Sequence, residues 1–221
     1  MNLEELKSSW KNHEIQLNED FEFNTKKLKE AQMKKSKIHM RKLLFFRVVE
    51  AIIFFVIATA LWGYIVNHSG FSAPVISAVI LNLFSHIGFA GSIVQIVLIT
   101  RVDYSEPVLD VQRRIAKVQS HGVSLLRLLL LSVPFYLAYI FLGWELLFGF
   151  DLFPNMDLTW FIIQIIFSAL LIAPTFWLIR ELGKRVPNYR WIRHLRENAA
   201  GRQAVAAVGF LNELNDFQND M

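Results

Sequence analysis

The chain contains no cysteine among its 221 residues. This excludes disulfide bonds, thiolate metal sites and cysteine nucleophiles. Charged residues are also scarce, at 19% of the chain, whereas a water-soluble domain usually carries about a quarter. The motifs GxSxG, HExxH, GxGxxG and the P-loop are missing, and no two of the six histidines have the spacing of metal ligands. We therefore expect no enzyme activity, no cofactor and no metal site.

Hydrophobic residues make up 54% of the chain and concentrate in four tracts. A helix needs about 20 mostly apolar residues to cross roughly 30 Å of hydrocarbon. The four tracts are long enough, and they cover residues 44–66, 73–99, 123–147 and 158–179. The sequence therefore predicts an all-α, polytopic membrane protein with a four-transmembrane-helix bundle over residues 44–179.

Along the chain, polar segments rich in basic residues alternate with segments that contain none. Segments 34–42, 101–122 and 180–202 are rich in Lys and Arg, whereas 67–72 and 148–157 contain neither. By the positive-inside rule, both termini are predicted to be cytoplasmic, in a multi-pass protein of the cell inner membrane. The same rule accounts for the net charge of +4, so we expect no direct contact with nucleic acid. The polar opening MNLEELKSSWKNHE predicts no cleavable signal peptide.

Three polar segments outside the spans have amphipathic helical patterns: residues 1–43, 101–122 and 180–221. In the first, residues 1–17 predict a short helix, and the segment NEDFEFN is expected to end it. Asn24 would then cap a second helix that continues into span one. The short helix has a hydrophobic stripe at alternating spacings of three and four, formed by Leu3, Leu6, Trp10, His13 and Leu17.

The middle segment places four residues on one helical face, and Gly122 is expected to end or bend that helix. The face consists of Val108, Val111, Ile115 and Val118. A last amphipathic helix is predicted over residues 189–217. Three fates remain open for these helices: packing on each other, lying on the membrane surface, or binding a partner.

Ionisable and polar groups within the spans are candidate functional residues. Arg47 and Glu50 lie one turn apart, a spacing that predicts an ion pair with a structural role. Pro134 and Pro174 predict kinks in spans three and four, which membrane helices tolerate.

Span two carries a broad polar side that we call the polar stripe, consisting of Asn82, Ser85, His86, Ser92 and Gln95. Asn82 and His86 are expected to face together, and Gln164 of span four is expected to face the stripe. Gly88 and Ser92 form a small-xxx-small pair that allows another helix to approach closely. Two interpretations remain open. The stripe is used either for hydrogen bonding between helices, within the bundle or a homodimer, or as a polar pathway or ligand pocket.

Two segments resemble a known family. The opening NLEELKSSWKNHEIQLNEDFEFN, with its Leu6, Trp10 and Leu17, precedes a Lys-rich run into span one. The loop VDYSEPVLDVQRRIAKVQ carries Asp103-Tyr104, Pro107-Val108 and Gln112. Together they are similar to a family of uncharacterised integral membrane proteins of Bacteroidetes, whose genes often neighbour those of extracytoplasmic-function sigma factors. The resemblance covers most of the chain up to Ile179, and it implies a membrane-bound regulator that could hold a sigma factor.

These patterns favour a membrane-anchored, non-enzymatic regulatory protein that binds a cytoplasmic partner and is anti-sigma-like in its role. The residues expected to bind this partner are Leu3, Leu6, Trp10 and Leu17. The alternative is an oligomeric membrane scaffold, channel or small transporter that uses the polar stripe of span two. In either case the lipid bilayer is a partner, and a homo-oligomer is compatible with both.

Overall fold

A computed structural model describes residues 3–68, 70–184, 188–202 and 204–209. The regular elements in these ranges are all helical, which confirms the all-α prediction for the described part of the chain. Two single 3-10 turns, Val133–Phe135 and Phe153–Asn155, join longer helices. The α-helices are α1 Leu3–Asn67, α2 Ala73–Thr100, α3 Val108–Leu130, α4 Tyr136–Phe148, α5 Leu158–Leu182 and α6 Arg190–Ala200.

Four stretches of helix are long and apolar enough to cross a membrane. They are Glu30–Asn67, Ala73–Thr100, Val108–Phe148 and Leu158–Leu182. Each contains one of the four predicted tracts, so the expected number of membrane-spanning helices is confirmed. The structure therefore has the architecture of a multi-pass membrane protein.

Helix α1 is continuous over 65 residues, so the predicted interruption at residues 18–24 and the cap at Asn24 are wrong. The segment NEDFEFN contains neither proline nor glycine. Its Asn, Asp and Phe residues disfavour a helix by only about 0.7 kcal/mol each relative to alanine. A change in the hydrophobic pattern does not by itself break backbone hydrogen bonds, and the helix runs on into the first span.

The third span is broken at Pro134 and continuous at Gly122. Helix α3 passes through Gly122 without a break and ends at Leu130, so the predicted end or bend at this glycine is wrong. The 3-10 turn around Pro134 then leads into α4. Proline lacks an N–H and clashes with the preceding turn, which explains the interruption. Pro174 lies inside the unbroken helix α5.

Two clusters of buried residues lie at opposite ends of the bundle. The first joins α1, α2 and α4 near the hairpin at residues 68–72, and it consists of Leu61, Ala78, Leu81, Ala138 and Leu142. The second lies where α1 enters the bundle and α2 leaves it. We call the second the basic-end cluster, and it consists of Met40, Leu43, Ile99, Val102, Val108, Val111, Ile115, Val118, Ala204 and Ala207.

The basic-end cluster is made largely of the amphipathic segments outside the predicted spans. The four-residue face predicted for the middle segment lies in it, and Val111, Ile115 and Val118 are fully buried. Ala204 and Ala207 come from the chain after α6. These segments therefore pack on each other and form a cap on the bundle.

The carboxyl-terminal helix is interrupted, contrary to the prediction of one helix over residues 189–217. Helix α6 ends at Ala200, and Gly201 has a φ of +85°, a left-handed conformation that glycine adopts without a steric penalty. A Cβ atom at Gly201 would lie 2.7 Å from Cδ1 of Leu43, so the chain also passes close to α1 at this point. Residues 210–217 of the prediction lie outside the described residues.

Candidate functional site

The amino-terminal arm, which we define as residues 3–31 of α1, extends beyond the basic-end cluster. At 1.5 Å per residue it is roughly 43 Å long. Every side chain described in the arm is exposed, and the buried residue nearest the amino terminus, among those described, is Gln32. The described side chains of the arm therefore lie outside the packed core.

Two large hydrophobic side chains are exposed on this arm. Trp10 has 76% of its surface exposed and Phe23 has 57%. The ammonium group of Lys27 lies 4.2 Å from the centre of the Phe23 ring. Leu3, Leu6 and Leu17, the other predicted partner-binding residues, lie on the helix, and their side chains are outside the described residues.

Arg47 ties the first span to the end of α6. Its guanidinium forms the predicted ion pair with Glu50, and Nη2 donates a hydrogen bond to the carbonyl oxygen of Ala199 at 2.9 Å. The Arg47 side chain is 12% exposed. Such a hydrogen bond from a charged donor contributes about 1.5–3 kcal/mol to stability. Arg47 therefore also holds the end of α6 against α1, which its spacing from Glu50 does not indicate.

The polar stripe of α2 is divided between the interior and the surface. Asn82, Ser85, Ser92 and Gln95 are buried, whereas His86 is exposed, with its ring edge against Trp62. Asn82 and His86 are neighbours, as expected, since Nδ1 of His86 lies 2.8 Å from the Asn82 carbonyl oxygen, but only the Asn82 side chain is buried. Four residues turn a helix by about 400°, or about 40° beyond a full turn, which carries His86 to the edge of the buried face.

Within the bundle, the stripe contacts α3. The side-chain amide of Gln95 donates to the carbonyl oxygen of Val118 at 3.4 Å. From α3, Nε2 of His121 lies 3.0 Å from the carbonyl oxygen of Gly91. The buried part of the stripe is therefore used in packing between helices of the same chain.

Gln164 does not meet the stripe, contrary to expectation. The hydroxyl of Tyr136 on α4 donates to the Gln164 side-chain oxygen, and it lies 3.1 Å from the Gln164 carbonyl oxygen. The hydroxyl of Ser168 donates to the carbonyl oxygen of Pro134. The break at Pro134 frees that carbonyl, so the kink provides the attachment for α5.

Close approaches at glycines fix the neighbours of α2 and α3. A Cβ atom at Gly88 would lie 2.5 Å from the Phe54 ring, and one at Gly91 would lie 2.2 Å from Leu125. Gly88 thus admits α1, as the small-xxx-small pattern predicted. The role of Gly91 was missed, because a single glycine carries no periodic signal.

The loop 101–107 carries part of the family resemblance, and its residues stabilise the turn between α2 and α3. The backbone N–H of Ser105 donates to the Asp103 carboxylate at 2.9 Å and holds the pKa of this carboxyl below its usual range. Arg114 pairs with Glu106 and donates to the carbonyl oxygen of Arg101 at 2.9 Å. This part of the motif therefore has a folding role.

Tyr104, in the same loop, packs against the basic-end cluster. Burial raises the pKa of its hydroxyl, and the neighbouring Ser36 hydroxyl on α1 opposes this shift. Because Met40 and Leu43 of α1 belong to the same cluster, this packing joins the loop to the helix that carries the amino-terminal arm.

Among the described residues, no group of three or more His, Asp or Glu side chains is placed to hold a metal ion. No family model, curated protein or solved structure matches the chain. Any function must therefore be argued from the geometry above.

Proposed function

We propose that this chain is a membrane-anchored, non-enzymatic interaction protein whose amino-terminal arm binds a cytoplasmic protein. The observation that carries the proposal is the exposure of Trp10, 76%, on a helix that extends beyond the packed bundle. Tryptophan is enriched among the residues that dominate binding energy. An exposed hydrophobic stripe on a helix is typical of a segment that docks into a partner's groove.

The continuity of α1 supports the same role. Because the arm and the first span belong to one helix of 65 residues, a partner bound near Trp10 would be held at a fixed distance from the bilayer, about 45 Å from Met40 of the basic-end cluster by helical rise. The resemblance stated above makes a sigma factor the first partner to test, with Leu3, Leu6 and Leu17 completing the binding stripe.

The test is co-purification in detergent with an extracytoplasmic-function sigma factor from the same organism. Wild-type protein should retain the partner, and Trp10→Ala should weaken retention at least tenfold, the effect expected of a hot-spot residue that contributes about 1.4 kcal/mol or more. Trp62→Ala is the matched control, because Trp62 is also exposed on α1 but lies in the span. Equal retention by wild type and Trp10→Ala would refute this role for the arm.

The proposal also requires the basic end to face the cytoplasm, as the positive-inside rule predicts. The natural absence of cysteine gives a clean background for labelling. An impermeant maleimide should label Phe71→Cys in intact spheroplasts and Lys117→Cys only after lysis, since both positions are exposed at opposite ends. The reverse pattern would place the arm outside the cell and remove any cytoplasmic partner.

A second candidate, an oligomeric membrane scaffold, is favoured by the exposure of His86. Polar side chains within spans usually face other helices, and a second copy would cover this one. Light scattering in detergent should then give a dimer for wild type and a monomer for His86→Leu. Thr59→Val is the control, because Thr59 is also exposed in a span and bonded within its own helix to the carbonyl oxygen of Phe55, as His86 is to that of Asn82. A wild-type monomer would eliminate this candidate.

The channel or transporter alternative has weaker support. Apart from His86, the stripe residues are buried against helices of the same chain. A pathway for solutes would need these side chains to line open space.

A further inference from the structure

A basic cleft opens between α3, α5 and α6. Its volume is about 770 Å³, and its lining includes Arg127 of α3 with Arg193, Arg196 and Glu197 of α6. An adjoining groove of about 730 Å³ lies on α5 and shares Arg127 and Gly183 with the cleft. We call this second space the α5 groove, and its other lining residues are Phe176, Trp177, Ile179, Arg180 and Lys184.

The cleft and groove carry more positive than negative charge. Glu181, at the end of α5, is already occupied, since it pairs with Lys184 and accepts a hydrogen bond from the backbone N–H of Asn188 at 2.8 Å. In the cleft itself, Glu197 lies 3.6 Å from His194 and is the one carboxylate of the lining. Arginines therefore outnumber carboxylates in the lining of the cleft.

Arg127 brings an unsatisfied hydrogen-bond donor to the cleft. Its Nε atom is buried and has no hydrogen-bond partner in the described part of the chain. Its guanidinium lies beside Gly183, where a Cβ atom would be 3.4 Å from Nη1. Leaving a buried N–H of a charged group without a hydrogen bond is unfavourable, and a guanidinium binds phosphate oxygens through two parallel hydrogen bonds.

The surroundings place this charge at the depth of a membrane interface. The Trp177 ring lies 5.5 Å from the Tyr189 ring and 6.5 Å from the Trp191 ring. Tryptophan and tyrosine concentrate at the headgroup level of bilayers. Towards the middle of the span, α5 exposes Phe176 and Ile172, so one side of the site is polar and the other apolar.

We propose that the basic cleft and the α5 groove bind an anionic phospholipid. The headgroup phosphate would lie between Arg127 and the arginines of α6, and the acyl chains would run along the exposed face of α5. Basic pockets between membrane helices are a known mode of binding acidic lipids. A soluble phosphate shares the headgroup chemistry but cannot use the apolar groove, so an amphiphile fits the site better.

The experiment uses the full chain in nanodiscs of phosphatidylcholine with and without phosphatidylglycerol. Native mass spectrometry after release from the disc counts the lipid molecules that remain bound. Wild type should retain phosphatidylglycerol in preference to phosphatidylcholine. Arg127→Gln and Arg193→Gln should each lower retention about fivefold, the factor expected for one base near a lipid surface.

Two further variants separate charge in the cleft from charge in general. Arg113→Gln removes a cation from the same helix, but its side chain is 78% exposed and paired with Asp110, so retention should stay within twofold of wild type. Arg127→Lys keeps the charge and should retain more lipid than Arg127→Gln. Because Arg193 is exposed on α6, its variant tests the proposal even if the Arg127 variants fail to fold.

The proposal is overturned if Arg113→Gln loses as much lipid as Arg193→Gln, because the effect would then be general surface charge. It is equally overturned if glycerol phosphate in solution displaces the bound phosphatidylglycerol at the concentration at which it binds lipid-free protein. That result would assign the site to a free phosphate. Preferential retention that survives glycerol phosphate and depends on both arginines supports the lipid site.

Discussion

A close contact between α3 and α6 makes Gly122→Ala an informative substitution. A Cβ atom at this position would lie 2.2 Å from the carbonyl oxygen of Ala199 and 3.0 Å from the side-chain nitrogen of Gln95. Carbon and oxygen atoms in ordinary contact are separated by well over 3 Å, so α6 must retreat by about 1 Å. The same carbonyl accepts the hydrogen bond from Arg47, which the movement would break.

The change in the free energy of docking α6 combines two unfavourable terms and one favourable term. Overpacking costs about 1–3 kcal/mol, and the hydrogen bond from a charged donor is worth about 1.5–3 kcal/mol. Alanine is more favourable than glycine in a helix by about 1 kcal/mol. We therefore expect the docking of α6 to be weakened by about 1.5–5 kcal/mol.

Hydrogen exchange measured by mass spectrometry on peptides from α6 is the suitable assay, since local opening of one helix need not unfold the bundle. A loss of 2 kcal/mol should accelerate exchange in α6 about thirtyfold. Gly143→Ala is the matched control, because a Cβ atom there has no neighbour within 4 Å. Wild-type exchange of α6 in Gly122→Ala would show that the two helices are not in contact.

Three further predictions concern single polar contacts, each measured by thermal unfolding in detergent. Arg47→Ala should lower the free energy of unfolding by about 2 kcal/mol. Arg113→Ala, which removes an exposed ion pair, should lower it by less than about 1 kcal/mol. Equal losses would contradict the role of the hydrogen bond from Arg47 to α6. Tyr136→Phe should cost about 1 kcal/mol through its lost bond to Gln164, and the exposed Tyr139→Phe should be neutral. Because burial raises the pKa of Tyr104, stability should fall as the pH rises above the ordinary tyrosine value of 10.0. Tyr104→Phe should reduce that fall, and an unchanged pH profile would refute it.

The spans were predictable because crossing hydrocarbon imposes a length and a composition that no alternative structure satisfies. Helix α2, Ala73–Thr100, extends one residue beyond the predicted tract 73–99. Its start carries ordinary signals, since Ser72 accepts a hydrogen bond from the N–H of Val75 at 3.4 Å and Pro74 lies in the first turn.

The glycines were the weak point of the sequence interpretation. Gly122 was expected to end a helix, but its role is to let α6 approach, and that role depends on Ala199, which lies far along the chain. Gly201 does end a helix and was passed over, because the hydrophobic pattern continues on both sides of it. A glycine in the sequence shows only that no side chain is present at that position. The residue that packs against it, which explains why glycine is needed, becomes known only from the fold.

The candidate site residues were predictable as chemical types but not as contacts. The spacing of Arg47 and Glu50 was sufficient for their ion pair, which is local. The bonds from Arg47 to Ala199 and from Tyr136 to Gln164 join residues distant in sequence, and no periodicity encodes them. The basic cleft was missed for the same reason, because its arginines come from two helices that only the fold brings together.

The loose attachment of α5 has a consequence for how the protein would respond to its bilayer. Only 6% of its apolar window is buried inside the molecule, so lipid surrounds most of its length, and Tyr136 and Ser168 supply its polar anchors. A thicker or thinner membrane should therefore reorient this helix more readily than its neighbours. Since Glu181 at its end holds the backbone of Asn188, such a reorientation would be transmitted to the cap, making it sensitive to membrane thickness.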